Sequence, residues 1–451
     1  MAQRVVITGA GWVTPLGWDL DGVWKALLEG RNAIAPVTRF DASSFTTSFA
    51  AEVKGFDLRE HIPTDEAFAR HERASLSTRF ALAAGWRAWN QAGLGTPGRG
   101  VDPRRVGLYL GAGEGSLDYD NFTRANVAGW DARGKRLDAV AWARAAYAGM
   151  TAAKEVEQEP NAALTHLADA FACRGPAFNC MTACAASTQA IGEAYAMIRR
   201  GDTDVMLAGG CHSMIHLLGM TGFIRLTAMS KRRDTPETAA RPFDSTRDGF
   251  VMGEGAGIVV LESLEHFERR MKIAGGDGPL AELVGYGSSA DAFRITDMHP
   301  EGKGPVTAMS RALREAGIDP REPRGDGRAP VDYISAHGTG TQENDSVETM
   351  AIKRVFEGQA GRVPVSSIKS MMGHLIQAAG VVEFITCVQA IRTGWIPPTM
   401  NLHQPDPELD LDYVPNRARD LNEAGGVEVC LSNSFGFGGQ NDTVVVRKFR
   451  G

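Results

Sequence analysis

Two cysteines four residues apart, Cys180 and Cys184, stand in the stretch NCMTACAASTQAIGEAYAMIRRG (179–201), where nearly every neighbour is small. A thiol in such company admits four kinds of chemistry: packing, metal ligation, a disulfide, or nucleophilic attack. The preceding run GPAFNCMTA reads as the end of a strand, and AASTQAIGEAYAMIRRG reads as a helix closed by Gly201. Cys184 falls in the turn at, or just before, the first helical residues. Free backbone N–H groups and the helix dipole favour the thiolate there, the form that attacks carbonyls. Ala183, Ala185 and Ala186 leave room for an acyl group and for close backbone approach. Cys180, inside the strand run, is assigned to packing. For a cysteine taken alone burial is the commoner fate, so the rest of the chain must supply a partner.

Two histidines occupy places where a partner is useful. His337 lies in SAHGTGTQENDSVE, after the strand-like VDYIS and before a helix. His374 lies in SIKSMMGHLIQAAGVVE, after VPVSS and before another helix. Both fall at C-terminal ends of strands, where α/β folds place their chemistry. The other eight histidines lack this setting and are assigned nothing. SNSFGFGGQND (432–442) sets glycines around Phe437 at a strand end, a loop that can aim a backbone N–H at an oxyanion or move as a gate.

The chain that must position these groups has 451 residues, enough for two domains or one large duplicated one. Apolar runs ending in glycine recur at 4–11, 105–113, 204–210 and 257–263, then at 331–340, 363–370 and 427–439. Helical patterns alternate with them at 22–29, 76–93, 185–200, 305–316, 345–357 and 376–392. That alternation predicts an α/β fold with largely parallel sheets, covered on both faces. The polar, glycine-rich segment 265–279 divides two similar series, an N-terminal half over 1–264 and a C-terminal half over 265–451. The stretch 114–170 reads as an insertion of helices and loops. A formal charge of −6 argues against a phosphate-binding surface and hence against nucleic acid. No apolar run reaches bilayer length and no signal-peptide pattern opens the chain, so a cytoplasmic protein with reduced cysteines is expected. GAGWVTPLG fails as a dinucleotide fingerprint because Thr14 stands where the third glycine belongs, and no P-loop is present. Cys173, Cys180, Cys184 and His212 match no metal-knuckle spacing, so no metal is expected.

Six motifs in register then lift the reading above single residues: GPAFNCMTACAAS, TDVMLAGG, RPFDSTRDGFVMGEGAGIVVLE, SAHGTGTQENDSVE, IKSMMGHLIQAAG and SNSFGFGGQND. Together they closely resemble the β-ketoacyl-[acyl-carrier-protein] synthases of the elongating, synthase II-like type, from RVVITGAG to the C-terminus with a weaker stretch at 114–170. The resemblance implies a thiolase-like fold, two similar halves in a five-layered αβαβα arrangement, paired as a homodimer or with a homologue as a heterodimer. It implies a decarboxylating Claisen condensation of an acyl chain with malonyl-carrier, in fatty-acid or polyketide-type elongation. Cys184 corresponds to the family's nucleophile, and His337 and His374 to its decarboxylating pair. Lys369 corresponds to the lysine supporting the histidines and Glu383 to the buried carboxylate beside it. The N–H groups of Cys184 and Phe437 correspond to the oxyanion hole, with Phe437 also the gate. Thr339 and Thr341 correspond to pantetheine-binding threonines, and Thr296 is a further candidate.

No cofactor is implied, because substrates ride on the phosphopantetheine of acyl carrier protein. Carrier proteins are acidic, so a locally basic entrance is expected; Arg70, Arg73, Lys231, Arg232 and Arg233 are its candidates. Initiating synthases carry Cys-His-Asn and thiolases a second cysteine, and neither pattern is present here. Gln377 and Gln440 depart from the commonest family text, as does the charged 114–170 segment. These departures leave open a specialised polyketide, polyene or unusual-lipid pathway. A catalytically silent partner subunit is the non-enzymatic alternative, which intact Cys184, His337 and His374 oppose.

Overall fold

The computed structural model describes residues 2–113, 117–274 and 278–451. Ten strands form one mixed sheet: β1 Val5–Val13, β2 Val106–Gly111, β3 Ala177–Cys180, β4 Val205–His212 and β5 Gly255–Ser263, then β6 Ala281–Ala290, β7 Tyr333–Ser335, β8 Val365–Ser366, β9 Val429–Gly436 and β10 Gln440–Arg447. Their spatial order is β8-β7-β9-β10-β6-β1-β5-β4-β2-β3. Each half repeats one topology. β1 runs antiparallel to β5 and β5 to β4, while β4, β2 and β3 are parallel. β6, β10, β9, β7 and β8 repeat those directions in the same order. The halves join where Val5–Ile7 pair antiparallel with Ala281–Leu283.

The expectation of largely parallel strands is therefore corrected: four pairings of this sheet are parallel and five antiparallel. Strands covered on both faces are apolar throughout whichever way they run; all nine residues of β5 are buried. Direction leaves no mark on such a pattern. Strands β6 and β10 were not among the expected runs, and most of the polar 265–279 segment is a helix, Leu264–Ala274. The positions of that segment at 275–277, like 114–116 of the insertion, lie outside the described residues.

Five layers follow from which helices cover which face. Helix α1 (Leu76–Ala92) packs outside the first half through Phe80, Leu82 and Trp89. Helices α3 (Lys303–Glu315) and α4 (Gln342–Phe356) cover the outside of the second through Met309, Leu313, Ile352 and Val355. Between the halves lie α2 (Ala186–Arg200) and α5 (Ala379–Thr393), whose Ile191, Ala194 and Ile198 share one core with Val381, Phe384 and Val388. Thirteen of the fifteen residues of α5 are buried. Gly201 closes α2 in the left-handed region, as its C-terminal glycine predicts.

The 114–170 insertion consists, in its described part, of helices Tyr119–Gly129, Ala139–Gly149, Ala152–Glu157 and Ala162–Ala170 with a small hairpin pairing Trp130–Asp131 with Arg136–Leu137. It is tied to the body where Glu157 accepts from the Ser75 backbone N–H at 3.0 Å and from His166 at 2.7 Å. Among the described residues no helix is long and apolar enough to cross a membrane.

Candidate active site

The two central helices begin at the same place. Before α2 comes a 3-10 turn, Ala183–Ala185, and before α5 another, Ile376–Ala378. Each turn opens with a left-handed non-glycine residue, Ala183 at φ +47° and Ile376 at φ +45°. Such a conformation costs about 1–3 kcal/mol and persists only where surrounding packing fixes it. Here the helix starts are bonded together: the Val381 N–H donates to Ser187 Oγ at 2.9 Å, and Thr188 Oγ1 meets Ser434 Oγ at 2.8 Å. Cys184 sits in the first of these turns, buried to 5% exposure. Cys180 lies on β3 with its thiol directed at the Ala186 carbonyl, 3.2 Å away, and burial pushes that thiol up to about 12.

Both histidines arrive at the same point. His337 follows β7 directly, whereas a one-turn helix, Lys369–Met372, separates β8 from His374. Cys184, His337 and His374 place ligand-type atoms within 4.8 Å of one another. The two imidazole centroids are 5.4 Å apart, with the rings crossed at 82°. Phe250 and Phe435 wall the pair, edge-on to His374 and His337 respectively. Burial, then the nearby Lys369 ammonium, holds both imidazoles well below the ordinary histidine range, and for His374 the neighbouring His337 and His212 add to this. They are neutral at physiological pH.

One backbone contact decides what His374 can do. Its Nδ1 accepts the Ile376 N–H at 3.2 Å, so in the neutral ring the proton resides on Nε2. That Nε2–H is buried without a partner among the described residues. The Cys-His-His trio is close enough to suggest a metal site, but a ring with one nitrogen occupied and the other protonated has no lone pair to give. The donor set fits oxyanion stabilisation instead.

Lys369 and Glu383 lie behind the trio. Lys369 Nζ donates to the His337 carbonyl at 2.6 Å and forms a short buried ion pair with Glu383, both side chains at 3% exposure or less. Burial raises Glu383 above the usual carboxylate range, and Lys369 pulls it part of the way back. Two functional carboxylates escaped the sequence reading. Glu348, on α4, accepts from the backbone N–H groups of His337 at 2.9 Å and Gly338 at 2.8 Å, and from Asn433 Nδ2 at 3.2 Å. Burial pushes its carboxyl up to about 7 against those donors. Asp345, three residues earlier, accepts from Gly340 and Phe243. Their i, i+3 spacing, which puts both on one helix face, was the available signal.

Cys184, His337 and His374 line a narrow cavity of about 60 Å³ together with Phe437 and all three threonines, Thr296, Thr339 and Thr341. Met298, Glu343 and Asn344, which sequence reasoning passed over, line it too. None of the five basic candidates does. Arg70 pairs with Glu66 and Asp169, and Arg73 borders a separate cavity beside the insertion. Arg232 is half-buried and bonded to the Thr246 carbonyl, while Lys231 and Arg233 are exposed.

With this geometry described, comparison with known proteins is direct. Residues 2–266 match the family model of the β-ketoacyl synthase N-terminal domain and residues 280–403 that of the C-terminal domain. The chain is 39% identical over 446 residues to 3-oxoacyl-[acyl-carrier-protein] synthase 2 of Coxiella burnetii, covering 99% of each. Its structure is similar to that of a β-ketoacyl synthase from Burkholderia phymatum, with TM-score 0.83 and 32% identity over 99% of this chain and 100% of that one. It is also similar to a type II polyketide synthase ketosynthase solved with its acyl-carrier protein and bound to the hexaketide, with TM-score 0.81 and 29% identity over the full length of both.

Removing the Glu348 carboxylate tests how the His337 loop is held. Glu348→Ala leaves two buried N–H groups unpaired, at about 1–3 kcal/mol each, and should lower the urea midpoint. An unchanged midpoint would show that the loop does not depend on it. The titration has a definite sign. A carboxyl at about 7 in the folded state and near 4.3 when unfolded stabilises the fold below pH 4 and loses that contribution as pH rises toward 7. Glu348→Gln has no such titration, so its stability relative to wild type should rise between pH 5 and 7 from whatever offset its NH2 group facing a backbone N–H imposes.

Proposed function

The chain belongs to the β-ketoacyl synthase family, and on that footing we propose that Cys184, His337 and His374 carry its two half-reactions. The enzyme is an acyltransferase, a 3-oxoacyl-[acyl-carrier-protein] synthase, joining an acyl chain to malonyl-carrier by decarboxylating condensation. In the first half-reaction the Cys184 thiolate, at the start of α2, attacks the carbonyl of an acyl thioester borne on carrier phosphopantetheine. The tetrahedral oxyanion is received by the N–H groups of Cys184 and Phe437; the carrier sulfur leaves as thiolate, to be protonated by solvent, and the acyl group stays on the cysteine sulfur. In the second, malonyl-carrier enters along the threonines and loses CO2. The pair of electrons released forms an enolate, whose oxygen accepts from the two histidine Nε2–H groups. The enolate carbon then attacks the acyl-cysteine carbonyl, the C–S bond breaks, and Cys184 is regenerated as thiolate.

The observation that carries this reading is the orphaned Nε2–H of His374 beside Cys184. Loss of CO2 needs charge stabilised on an oxygen, not a base, and a neutral imidazole fixed as donor supplies that. Lys369 and Glu383 act as positioning residues, the lysine through the His337 carbonyl. No cofactor is required by these steps. Similarity to both fatty-acid and polyketide enzymes leaves the pathway to be read from the acyl group accepted.

For the assembly we propose a homodimer. Strand β3 ends the sheet with Phe178 exposed, and Met181 and Tyr147 of the insertion lie bare at 58% and 82%. Unpaired strand edges and clustered apolar side chains mark association surfaces. For carrier docking, the exposed Lys231 and Arg233 are the candidates, Arg233 keeping further N–H groups for an acidic partner beyond the one it donates to the Ser43 carbonyl at 3.0 Å.

Three measurements check this. Intact-protein mass spectrometry with a panel of acyl-carriers should show an acyl adduct on wild type and none on Cys184→Ala, with ketoacyl product once malonyl-carrier is added. His374→Ala should still be acylated yet lose condensation by at least about 100-fold; no adduct from any donor on folded wild type would favour the silent subunit. Lys231→Glu with Arg233→Glu should raise KM for carrier-borne substrate and leave kcat within about twofold, and an unchanged KM would remove them from the docking surface. Light scattering should give twice the chain mass, and Phe178→Lys should shift it toward the monomer; a monomeric wild type would overturn the assembly.

A further inference from the structure

The start of α4 presents more hydrogen-bond acceptors to the cavity than the known chemistry uses. Thr341 caps this helix, its Oγ1 accepting the Asn344 N–H at 3.2 Å. The same hydroxyl is 3.0 Å from Thr339 Oγ1, so one of the two protons is spent between them. The threonine pair therefore offers a single O–H donor outward. Beside it stand two side chains with acceptor positions to spare. Glu343 accepts the Met298 N–H at 2.8 Å on one oxygen, and an ionised carboxylate offers about four acceptor positions. Asn344 is 6% exposed, and its Nδ2 donates to the Asp345 carboxylate at 3.1 Å. That contact fixes the amide orientation, because a carboxylate must be faced by the NH2 end. Asn344 Oδ1 is left buried with no partner among the described residues. A buried carbonyl without a donor costs about 1–3 kcal/mol and calls for one.

We propose that Glu343 and Asn344 form an acceptor ledge for an amide N–H of the pantetheine arm, positioning the thioester at Cys184. The assignment rests on the reading of a phosphopantetheine-borne substrate. That arm carries two secondary amides, each with one N–H and one C=O on opposite sides of an extended chain. One amide turns its N–H to the ledge and the other, rotated about the two methylenes between them, its carbonyl to the outward threonine hydroxyl, so the wall reads the direction of the arm as well as its presence. Glu343 has a second effect through Met298: it holds the 291–298 loop, and with it Thr296, against the same cavity. Both residues are positioning residues; neither touches the reacting carbons.

The test separates arm recognition from structural damage by varying the substrate. Acylation of Cys184 is followed by intact mass with octanoyl-pantetheine and with S-ethyl octanethioate, which has the same acyl group and no amide. Asn344→Leu should lower kcat/KM for the pantetheine thioester about tenfold, the worth of one hydrogen bond, and leave the ethyl thioester within about twofold. Glu343→Gln, whose carbonyl still accepts from Met298, should show the same selectivity with a smaller loss. Equal losses on both thioesters, or none on either, overturn the ledge. If wild type is acylated by the ethyl thioester and never by pantetheine, the substrate reading itself fails, and that outcome is distinct from the first two.

Discussion

Everything at this site depends on two helix N-termini being brought to one point from the two halves of the chain. The approach is closer than side chains allow. A Cβ on Gly111 would lie 2.5 Å from the Ser187 backbone nitrogen, and one on Gly210 would lie 2.7 Å from the Gln377 carbonyl. One on Gly380 would fall 2.0 Å from Thr188 Oγ1. Backbone atoms cannot yield, so these glycines set the spacing. Two macrodipoles then point their positive ends, each roughly half a charge, into one small volume. In an empty fold that is mutual repulsion. In this one it is stored field, waiting for a thiolate and for oxyanions.

The same volume must not fill with the wrong protons. Imidazolium at either histidine would tie the Cys184 thiolate into an ion pair and lower its nucleophilicity. Burial alone lowers both rings, and the ammonium of Lys369 adds a like charge against their protonation. An ammonium there is costly unless paired, and breaking a buried pair costs about 3–5 kcal/mol. Glu383 supplies the pairing from α5, the helix that His374 precedes. Glu348 holds the same histidine that Lys369 reaches, His337, from its N–H side, with three N–H donors facing one carboxylate. Charge placement and loop geometry are therefore one device: Lys369 and Glu348 both fix the His337 loop.

How much of this the sequence disclosed depended on range. Cys184, His337, His374 and Phe437 were legible because chemically active types stood among small residues at strand ends, a local pattern. The three threonines and Lys369 came only through the family likeness, and the structure brings the threonines to the cavity with the trio. The direction of the strands was not legible, since doubly covered strands such as β5 read as uniform apolar runs. Strand β10 hid in QNDTVVVR because its first half is polar. Glu343 and Asn344 were passed over for another reason. After Thr341 they read as ordinary first-turn residues of a capped helix, a role that explains them fully in isolation. That they face a cavity depends on the 291–298 loop, more than forty residues earlier. The basic candidates show the converse: Arg232 looks free in SKRRD, yet Thr246 holds it.

The cavity at Cys184, about 60 Å³ in volume, sets the last constraint, because Phe250, Ile376 and Phe437 stand around the thiol. An acyl thioester formed there would be shielded from water by that apolar wall. Phe437 is half-buried in the turn between β9 and β10. Gly438 and Gly439 beside it are both left-handed, at φ +88° and +73°. The turn is not independent, however. The Gly438 N–H donates to the Ile295 carbonyl at 2.7 Å, and the Asp291 N–H donates to Gly439 at 2.8 Å. Moving Phe437 therefore strains the loop that carries Thr296 and is held by Glu343. The turn of Phe437 and the loop of Thr296 are thus mechanically one, so a group seated against the threonines would bear on Phe437 in front of it.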